Sequence, residues 1–125
     1  MKVSVVTDQP WLVPADVLVV PIGADPAFEG QLAELDRRSG GELSALRAFG
    51  ELTGKKHSTA MAASGDVRAG RLLTVGVGPV EKVDRETVVR MAATAERRLG
   101  GRKVRSLAVW LDALPSVDGG LAAVA

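Results

Sequence analysis

The one histidine of the chain, His57, is the first residue to consider for acid–base or metal chemistry. Metal sites that lack cysteine usually combine several His, Asp and Glu residues at helical spacing, as in His-Glu-x-x-His, and the sequence contains no such motif. His57 follows Gly54-Lys55-Lys56 at the polar approach to a predicted strand. We interpret it as a solvated loop residue, and a single-histidine pH switch is the alternative.

The aspartates are better explained by capping than by catalysis. They fall at predicted strand starts, helix ends and turns, where an Asp side chain accepts hydrogen bonds from backbone amides. No spacing singles out two carboxylates as an acid–base or metal-binding pair. The aspartates concerned are Asp16, Asp25, Asp36, Asp66, Asp84, Asp112 and Asp118.

Nucleophilic serine chemistry has no support in the sequence. Neither Ser39-Gly40-Gly41 nor Ser64-Gly65 has the leading glycine of a Gly-x-Ser-x-Gly elbow, and Ser39 follows a predicted helix rather than a strand. Nucleophilic hydrolysis by the usual serine constellation is therefore unsupported, and a paired-carboxylate or metal-carboxylate site stays the alternative for the acidic residues.

A glycine pair, Gly76 and Gly78, lies where α/β proteins bind ligands, directly after a predicted buried strand and before a helix. A dinucleotide fingerprint would need glycine in place of Glu81. The helix begins only at Asp84, so its N-terminus is not delivered to a phosphate at these glycines. We interpret both as tight-turn glycines. Binding of a nucleotide or an ADP-ribose-like compound is the alternative, with Gly76 and Gly78 as its candidate residues.

A basic cluster surrounds the end of the last predicted helix. Such residues contact phosphates and provide the sequence-independent part of nucleic-acid affinity. No aromatic residue is interleaved with them, so base stacking has no platform there. We interpret the cluster as a solvated helix end that complements the helix dipole, and a nucleic-acid or acidic-partner surface is the alternative. Its members are Arg97, Arg98, Arg102, Lys103 and Arg105.

The chain that positions these residues has 125 residues, of which 46% are hydrophobic and 25% charged, with a net charge of +1 and no cysteine. Such a chain folds as one domain around one core. The lack of cysteine excludes a disulfide scaffold and a thiolate zinc site, and we expect the cytosol as compartment. We expect neither a signal peptide nor a membrane span, and the near-zero net charge argues against a dedicated nucleic-acid binder.

Apolar runs predict about five strands. The continuous runs Val17–Ile22, Leu72–Val77 and Leu107–Leu111 are typical of strands covered on both faces. Val3–Thr7 and Ser58–Ser64 alternate imperfectly, which indicates outer, partly exposed strands.

Three helices are predicted between the strands. The first has Asp25 as N-cap and ends at Gly40-Gly41, the second spans Leu43–Phe49, and the third runs from Asp84 as N-cap to Leu99. Strands interleaved with helices predict a layered α/β domain, with a mixed, mostly parallel central sheet flanked by helices. The apolar stripes that should face the core are Phe28, Leu32 and Leu35, then Leu43, Leu46 and Phe49, then Val88, Ala92, Ala95 and Leu99.

After the last strand, Asp112–Gly120 is predicted to be a loop, and Leu121–Ala125 resembles the first turn of another helix. An apolar, uncharged ending is unusual for a terminus that faces water. We therefore expect residues 1–125 to form one domain whose natural neighbour is missing, with a tail that is truncated from about Ala113.

The order of these segments resembles the N-terminal domain of the leucyl (cytosol) aminopeptidases. The resemblance covers residues 3 to 112, and Pro79 departs from it, because the family often has lysine after this Gly-x-Gly turn. The segments that carry it are Ala15–Pro21, Leu32–Asp36 before a Gly-Gly turn, Gly54-Lys55 before a strand, Leu73–Gly78 and the late Arg-rich helix.

The resemblance implies an α/β domain similar to the macro domain, placed ahead of a larger catalytic domain. In that family two divalent metals, usually zinc with manganese or magnesium able to occupy a site, activate water to remove N-terminal residues from peptides. The metal ligands, the catalytic lysine and arginine and the signature Asn-Thr-Asp-Ala-Glu-Gly-Arg-Leu belong to the catalytic domain. This chain lacks the signature, so the resemblance implies no catalytic residue and no metal ligand in it. The family is typically hexameric, and certain bacterial members bind DNA.

The leading hypothesis is therefore a non-catalytic N-terminal domain of a leucyl aminopeptidase-like metallopeptidase, serving assembly, access control or partner binding. No cofactor is expected in this chain. The missing catalytic domain and a hexameric assembly are the expected partners. A free-standing macro-like module for a nucleotide or ADP-ribose, or a nucleic-acid-binding domain, is the alternative.

Overall fold

The computed structural model describes residues 2–6, 9–24, 28–79, 82–100 and 103–110. The predicted strand boundaries agree with the observed ones to within a residue wherever they fall in this part of the chain. The elements are β1 (Lys2–Val6), a 3-10 turn (Pro10–Leu12), β2 (Val17–Gly23), α1 (Gly30–Arg38), α2 (Glu42–Ala48), β3 (Thr59–Ala63), β4 (Arg71–Gly78), α3 (Arg85–Leu99) and β5 (Ser106–Trp110).

The five strands form one sheet in the order β1-β5-β2-β4-β3. The β1–β5, β5–β2 and β2–β4 pairs are parallel, and β3 joins β4 in the antiparallel direction. The prediction of an α/β domain with a mixed, mostly parallel sheet flanked by helices is confirmed.

The central strands are covered on both faces, as their continuous apolar runs predict. Every residue of β2 is buried. Leu18 and Leu72 point to the side of α1 and α2, whereas Val19 and Leu73 point to the side of α3. The outer strands β1 and β3 are partly exposed, also as predicted.

Helix α1 begins later than predicted. The first helical residue is Gly30, with Glu29 at the N-cap, while Asp25 and Pro26 lie outside the described residues. Phe28 therefore lies ahead of the helix, where it packs against the core and its ring faces the Arg47 guanidinium at 5.2 Å. Phe28 fits the i, i+4, i+7 spacing of a helical stripe, but it reaches the core from outside the helix.

The apolar stripes of the other two helices are confirmed only in part. Phe49 follows α2 and is 82% exposed, so the predicted core position is wrong: the C-terminal end of the helix turns this ring away from the sheet. In α3 the buried side chains include Met91, which the predicted stripe lacked, while Ala92 is only half-buried. Val88, Ala95 and Leu99 are buried as predicted, with Asp84 capping the helix.

Asp16 ties the start of β2 to the start of β5. Its Oδ2 accepts hydrogen bonds from the backbone amides of Arg105 at 2.6 Å and Ser106 at 3.2 Å. In return, the Asp16 amide donates to Ser106 Oγ at 2.9 Å. This reciprocal arrangement joins residues about 90 positions apart in the chain and sets the register at the amino ends of the two strands.

Two further expectations concern the residues after β5 and the presence of a membrane span. The predicted loop Asp112–Gly120 and helical turn Leu121–Ala125 lie outside the described residues. Among the residues that are described, no helix is both long and apolar enough to cross a membrane.

Candidate functional site

The carboxyl ends of β2 and β4 lie side by side. The segment before β3, residues 54–58, crosses the end of β4, and we call it the crossing segment. Backbone hydrogen bonds hold the crossing together: Gly78 N donates to Gly54 O at 2.9 Å, His57 N to Gly76 O at 3.0 Å, and Gly76 N to Ser58 O at 2.7 Å. The end of β2 joins the same network, because Ala24 N donates to Gly78 O at 3.0 Å. Three separate parts of the chain therefore meet at one rigid point.

The two glycines singled out from the sequence have different roles at this point. Gly76 lies within β4 rather than in a turn, and a Cβ built on it would lie 1.9 Å from Lys55 O and 2.4 Å from Ser58 Oγ. Glycine is needed there because the backbone of the crossing segment passes directly over it. Gly78 has a φ of +78° at the end of the strand, where the left-handed conformation favours glycine. The turn interpretation is thus wrong for Gly76, whereas Gly78 is the last residue of β4 and pairs with Gly23 at an irregularity of the ladder.

A cleft of about 430 Å³ opens beside this crossing. Its lining includes the ammonium-bearing side chains of Lys55, Lys56 and Lys82, the apolar Val77 and Pro79, and Thr53. Three of the five lysines of the chain line this one cleft. Gly78 also lines it, which places one of the two glycine candidates at the cleft wall.

Sequence reasoning did not single out these lysines as a group. Lys55 and Lys56 precede β3, and Lys82 follows β4, so no local motif contains all three. A signal was nevertheless present, because Lys82 lies just beyond the carboxyl end of a predicted buried strand, where parallel sheets bind ligands. The approach of Lys55 and Lys56 to that strand end depends on the crossing, which periodicity does not predict.

The side chains of Asp16, Asp36 and Asp84 serve the fold, whereas Asp66 lies in a turn and its carboxylate accepts no hydrogen bond from the described residues. Asp84 Oδ1 accepts from Thr87 N at 2.8 Å, and Asp36 Oδ1 accepts from Ser44 N at 2.9 Å. Asp16, which precedes β2, accepts from a backbone amide just before β5. Three of the predicted capping roles are therefore confirmed. Asp25, Asp112 and Asp118 lie outside the described residues.

The hydrogen bonds from Thr87 lower the pKa of Asp84 below its ordinary value, and the nearby charge of Lys56 lowers it further. A carboxylate with a depressed folded-state pKa stabilises the fold fully above the unfolded pKa of about 4, and this stabilisation is lost as the pH falls through the folded value. We therefore expect Asp84→Ala to lower the urea midpoint at neutral pH. The difference from the parent should shrink as the pH falls below about 4.

Urea titrations at a series of pH values measure this difference. Asp66→Ala is the matched control, because the Asp66 carboxylate accepts no hydrogen bond from the described residues, and we expect its midpoint to stay close to that of the parent. A loss in Asp84→Ala that is equally large at acidic pH would contradict the capping explanation.

His57 lies in the crossing segment with a φ of +68° and an exposed side chain, so the loop interpretation is confirmed. Its Nδ1 lies 3.2 Å from Thr94 Oγ1 on α3, a contact that the sequence did not indicate. The Thr94 hydroxyl also donates to Arg90 O at 2.9 Å. His57 thus links the crossing segment to α3.

The resemblance places the pair of metal ions in the catalytic domain and not in this chain. No group of three or more His, Cys, Asp and Glu side chains in the described part of the chain is arranged to hold a metal ion. The carboxylates of Asp16, Asp36 and Asp84 accept hydrogen bonds from backbone amides instead.

The basic cluster lies along the connection from α3 to β5. Arg97, Lys103 and Arg105 are exposed and Arg98 is half-buried, while Arg102 lies outside the described residues. Arg97 Nη2 donates to Thr94 Oγ1 at 3.3 Å, which holds this side chain along the helix. Contact with nucleic acid stays a prediction for this surface.

The comparisons with known proteins agree on one family. The model of the cytosol aminopeptidase family, N-terminal domain, matches residues 19–125. A probable cytosol aminopeptidase of Xylella fastidiosa (strain M23) is 34% identical over 110 residues, which is 87% of this chain and 22% of the relative. A protein of the same name from Solibacter usitatus (strain Ellin6076) is 37% identical over 99 residues, 78% of this chain and 18% of the relative.

The chain therefore spans about a fifth of the length of the curated relatives it matches. The matches favour neither a free-standing nucleotide-binding module nor a nucleic-acid-binding domain. They confirm the resemblance seen in the order of the sequence segments, and the chain belongs to the cytosol aminopeptidase family, whose N-terminal domain it matches.

Proposed function

We propose that this chain is a non-catalytic N-terminal domain of a metallo-aminopeptidase that releases N-terminal amino acids from peptides in the cytosol. The proposal is carried by the match of residues 19–125 to the N-terminal domain of the family. The separate alignment with the Xylella fastidiosa relative covers only 22% of that protein. Within the full-length protein the domain serves assembly, access control or partner binding. A hexamer is the assembly that the family resemblance implies.

The chemistry of the described side chains supports a non-catalytic role. The carboxylates of Asp16, Asp36 and Asp84 are used as acceptors for backbone amides, where they stabilise strand and helix ends. Within the described part of the chain, the hydrogen-bond partner of His57 is the Thr94 hydroxyl and not the carboxylate that usually orients a catalytic histidine. We assign the two divalent metal ions, zinc or manganese, to the catalytic domain of the full-length protein.

Incubation of the purified chain with leucine p-nitroanilide and Zn²⁺ or Mn²⁺ tests the proposal. We expect no release of nitroaniline above the buffer rate, because a peptidase of this type needs a metal-bound water that the chain's described donors are not arranged to hold. The full-length Xylella fastidiosa relative is the positive control. Hydrolysis that scales with the concentration of this chain would overturn the proposal.

The assembly role has its own readout in the same relative. Deleting the region that matches this chain should reduce the number of subunits seen by sedimentation velocity if the domain supports assembly. An unchanged subunit number would remove assembly from the proposal and restrict the domain to access control or partner binding.

A further inference from the structure

The three lysines of the cleft are positive charges without a close internal partner. Lys55, Lys56 and Lys82 are exposed, and none of their ammonium groups forms a hydrogen bond or ion pair with the residues that the structure describes. The charge of Lys56 acts on the Asp84 carboxylate, which is already bonded to Thr87. Among the residues that the structure describes, the cleft lining therefore has three cationic side chains and no anionic one.

The backbone that carries Lys55 and Lys56 is held firmly against the two strands, so both side chains start from fixed positions at the cleft. A Cβ on Gly54 would lie 2.2 Å from Gly23 O, and a Cβ on Gly76 would lie 1.9 Å from Lys55 O. The crossing segment thus has no room to move toward either strand. It cannot easily move away either, because three backbone hydrogen bonds join it to β4. A backbone held in place reduces the ordering cost of binding.

We infer that this cleft binds a small phosphate compound through its phosphate groups. Its position outside the carboxyl ends of the parallel strands β2 and β4 is where open α/β sheets bind ligands. Its volume of about 430 Å³ is within the range of small-molecule sites. Three ammonium groups require about two to three negative charges for balance, and phosphate groups concentrate that charge in a small molecule.

The rest of the lining indicates that the phosphate groups are what the cleft recognises. The described residues of the lining include no aromatic side chain on which a base could stack, and no carboxylate or amide side chain that could bind a base edge. The Thr53 hydroxyl and the apolar Val77 and Pro79 suit a compact ligand without a base. A peptide amino terminus would be repelled by the lysines. The inference does not rest on the proposed aminopeptidase role.

Isothermal titration of the chain with pyrophosphate tests the inference. We expect binding that weakens as salt is raised, and a loss of about tenfold or more in Lys55→Gln/Lys82→Gln, because two charge-assisted contacts are removed. Lys2→Gln/Lys103→Gln is the control: it makes the same change in net charge at exposed lysines away from the cleft, and its affinity should equal that of the parent. Equal urea midpoints show that both variants fold.

Each other outcome overturns the inference. Absence of pyrophosphate heat at millimolar concentration, or an equal loss in the control variant, would remove the cleft as a phosphate site. Equal binding of citrate would show that the cleft responds to charge alone. Much tighter binding of ADP-ribose than of pyrophosphate would show recognition of a base and ribose. None of these results bears on the aminopeptidase assignment, which the leucine p-nitroanilide assay tests separately.

Discussion

Gly76→Ala is expected to destabilise the chain by about 3 kcal/mol or more. A Cβ at this position would lie 1.9 Å from Lys55 O and 2.4 Å from Ser58 Oγ. The backbone oxygen belongs to a segment held to β4 by hydrogen bonds, so relief of the clash requires loss of those bonds. Urea unfolding followed by circular dichroism measures the change, and a variant that fails to fold is also in agreement.

Gly41→Ala is the control that separates a steric clash from backbone strain. Gly41 has a φ of +80°, and a Cβ there would meet nothing within 4 Å. Alanine in this left-handed conformation should cost about 1 kcal/mol, with no contribution from crowding. An equal loss in the two variants would contradict the close approach of the crossing segment to β4.

The Gly76→Ala substitution also tests the cleft. Lys55 and Lys56 reach the cleft because the crossing segment passes over Gly76 and bonds to Gly78. A partly folded Gly76→Ala chain that retains the sheet but loses the crossing should lose pyrophosphate binding as well. The glycine therefore acts as a positioning residue for the lysines, without touching the ligand itself.

The strands were predictable because burial on both faces leaves a clear signature. Val17–Ile22 is a continuous apolar run, and β2 is buried along its whole length between two layers of helices. The helix ends were less predictable where tertiary contacts compete with spacing. Phe28 fits a helical stripe yet packs from outside α1, and Phe49 fits the stripe of α2 yet lies past its end and is exposed.

The cleft was harder to predict than the strands for a physical reason. The three lysines come from two loops that are distant in sequence, and a loop path depends on backbone hydrogen bonds rather than on side-chain periodicity. Gly76 and Gly78 were recognised as unusual, but their different roles follow from φ and from what passes over them. The order of elements can thus be predicted from this sequence, whereas the approach of two loops to one strand end cannot.

The second large effect is expected at two neighbouring residues of β4. Leu72 and Leu73 are each fully buried, and they point to opposite faces of the sheet. Leu72→Ala should leave a cavity on the side of α1 and α2, and Leu73→Ala a cavity on the side of α3. Each should cost about 3 kcal/mol, measured as the change in the free energy of unfolding in urea.

The pair tests whether both faces of the sheet are core, since adjacent residues in a strand alternate between faces. If one face were open to water, the substitution on that face would cost far less than the other. Val89→Ala on α3, where the side chain is 49% exposed, is the control and should cost less than about 1 kcal/mol. Equal, large losses of unfolding free energy at Leu72 and Leu73 would establish that α3 covers its face of the sheet as fully as α1 and α2 together cover theirs. A near-neutral Leu73→Ala would instead mean that α3 packs loosely on the sheet.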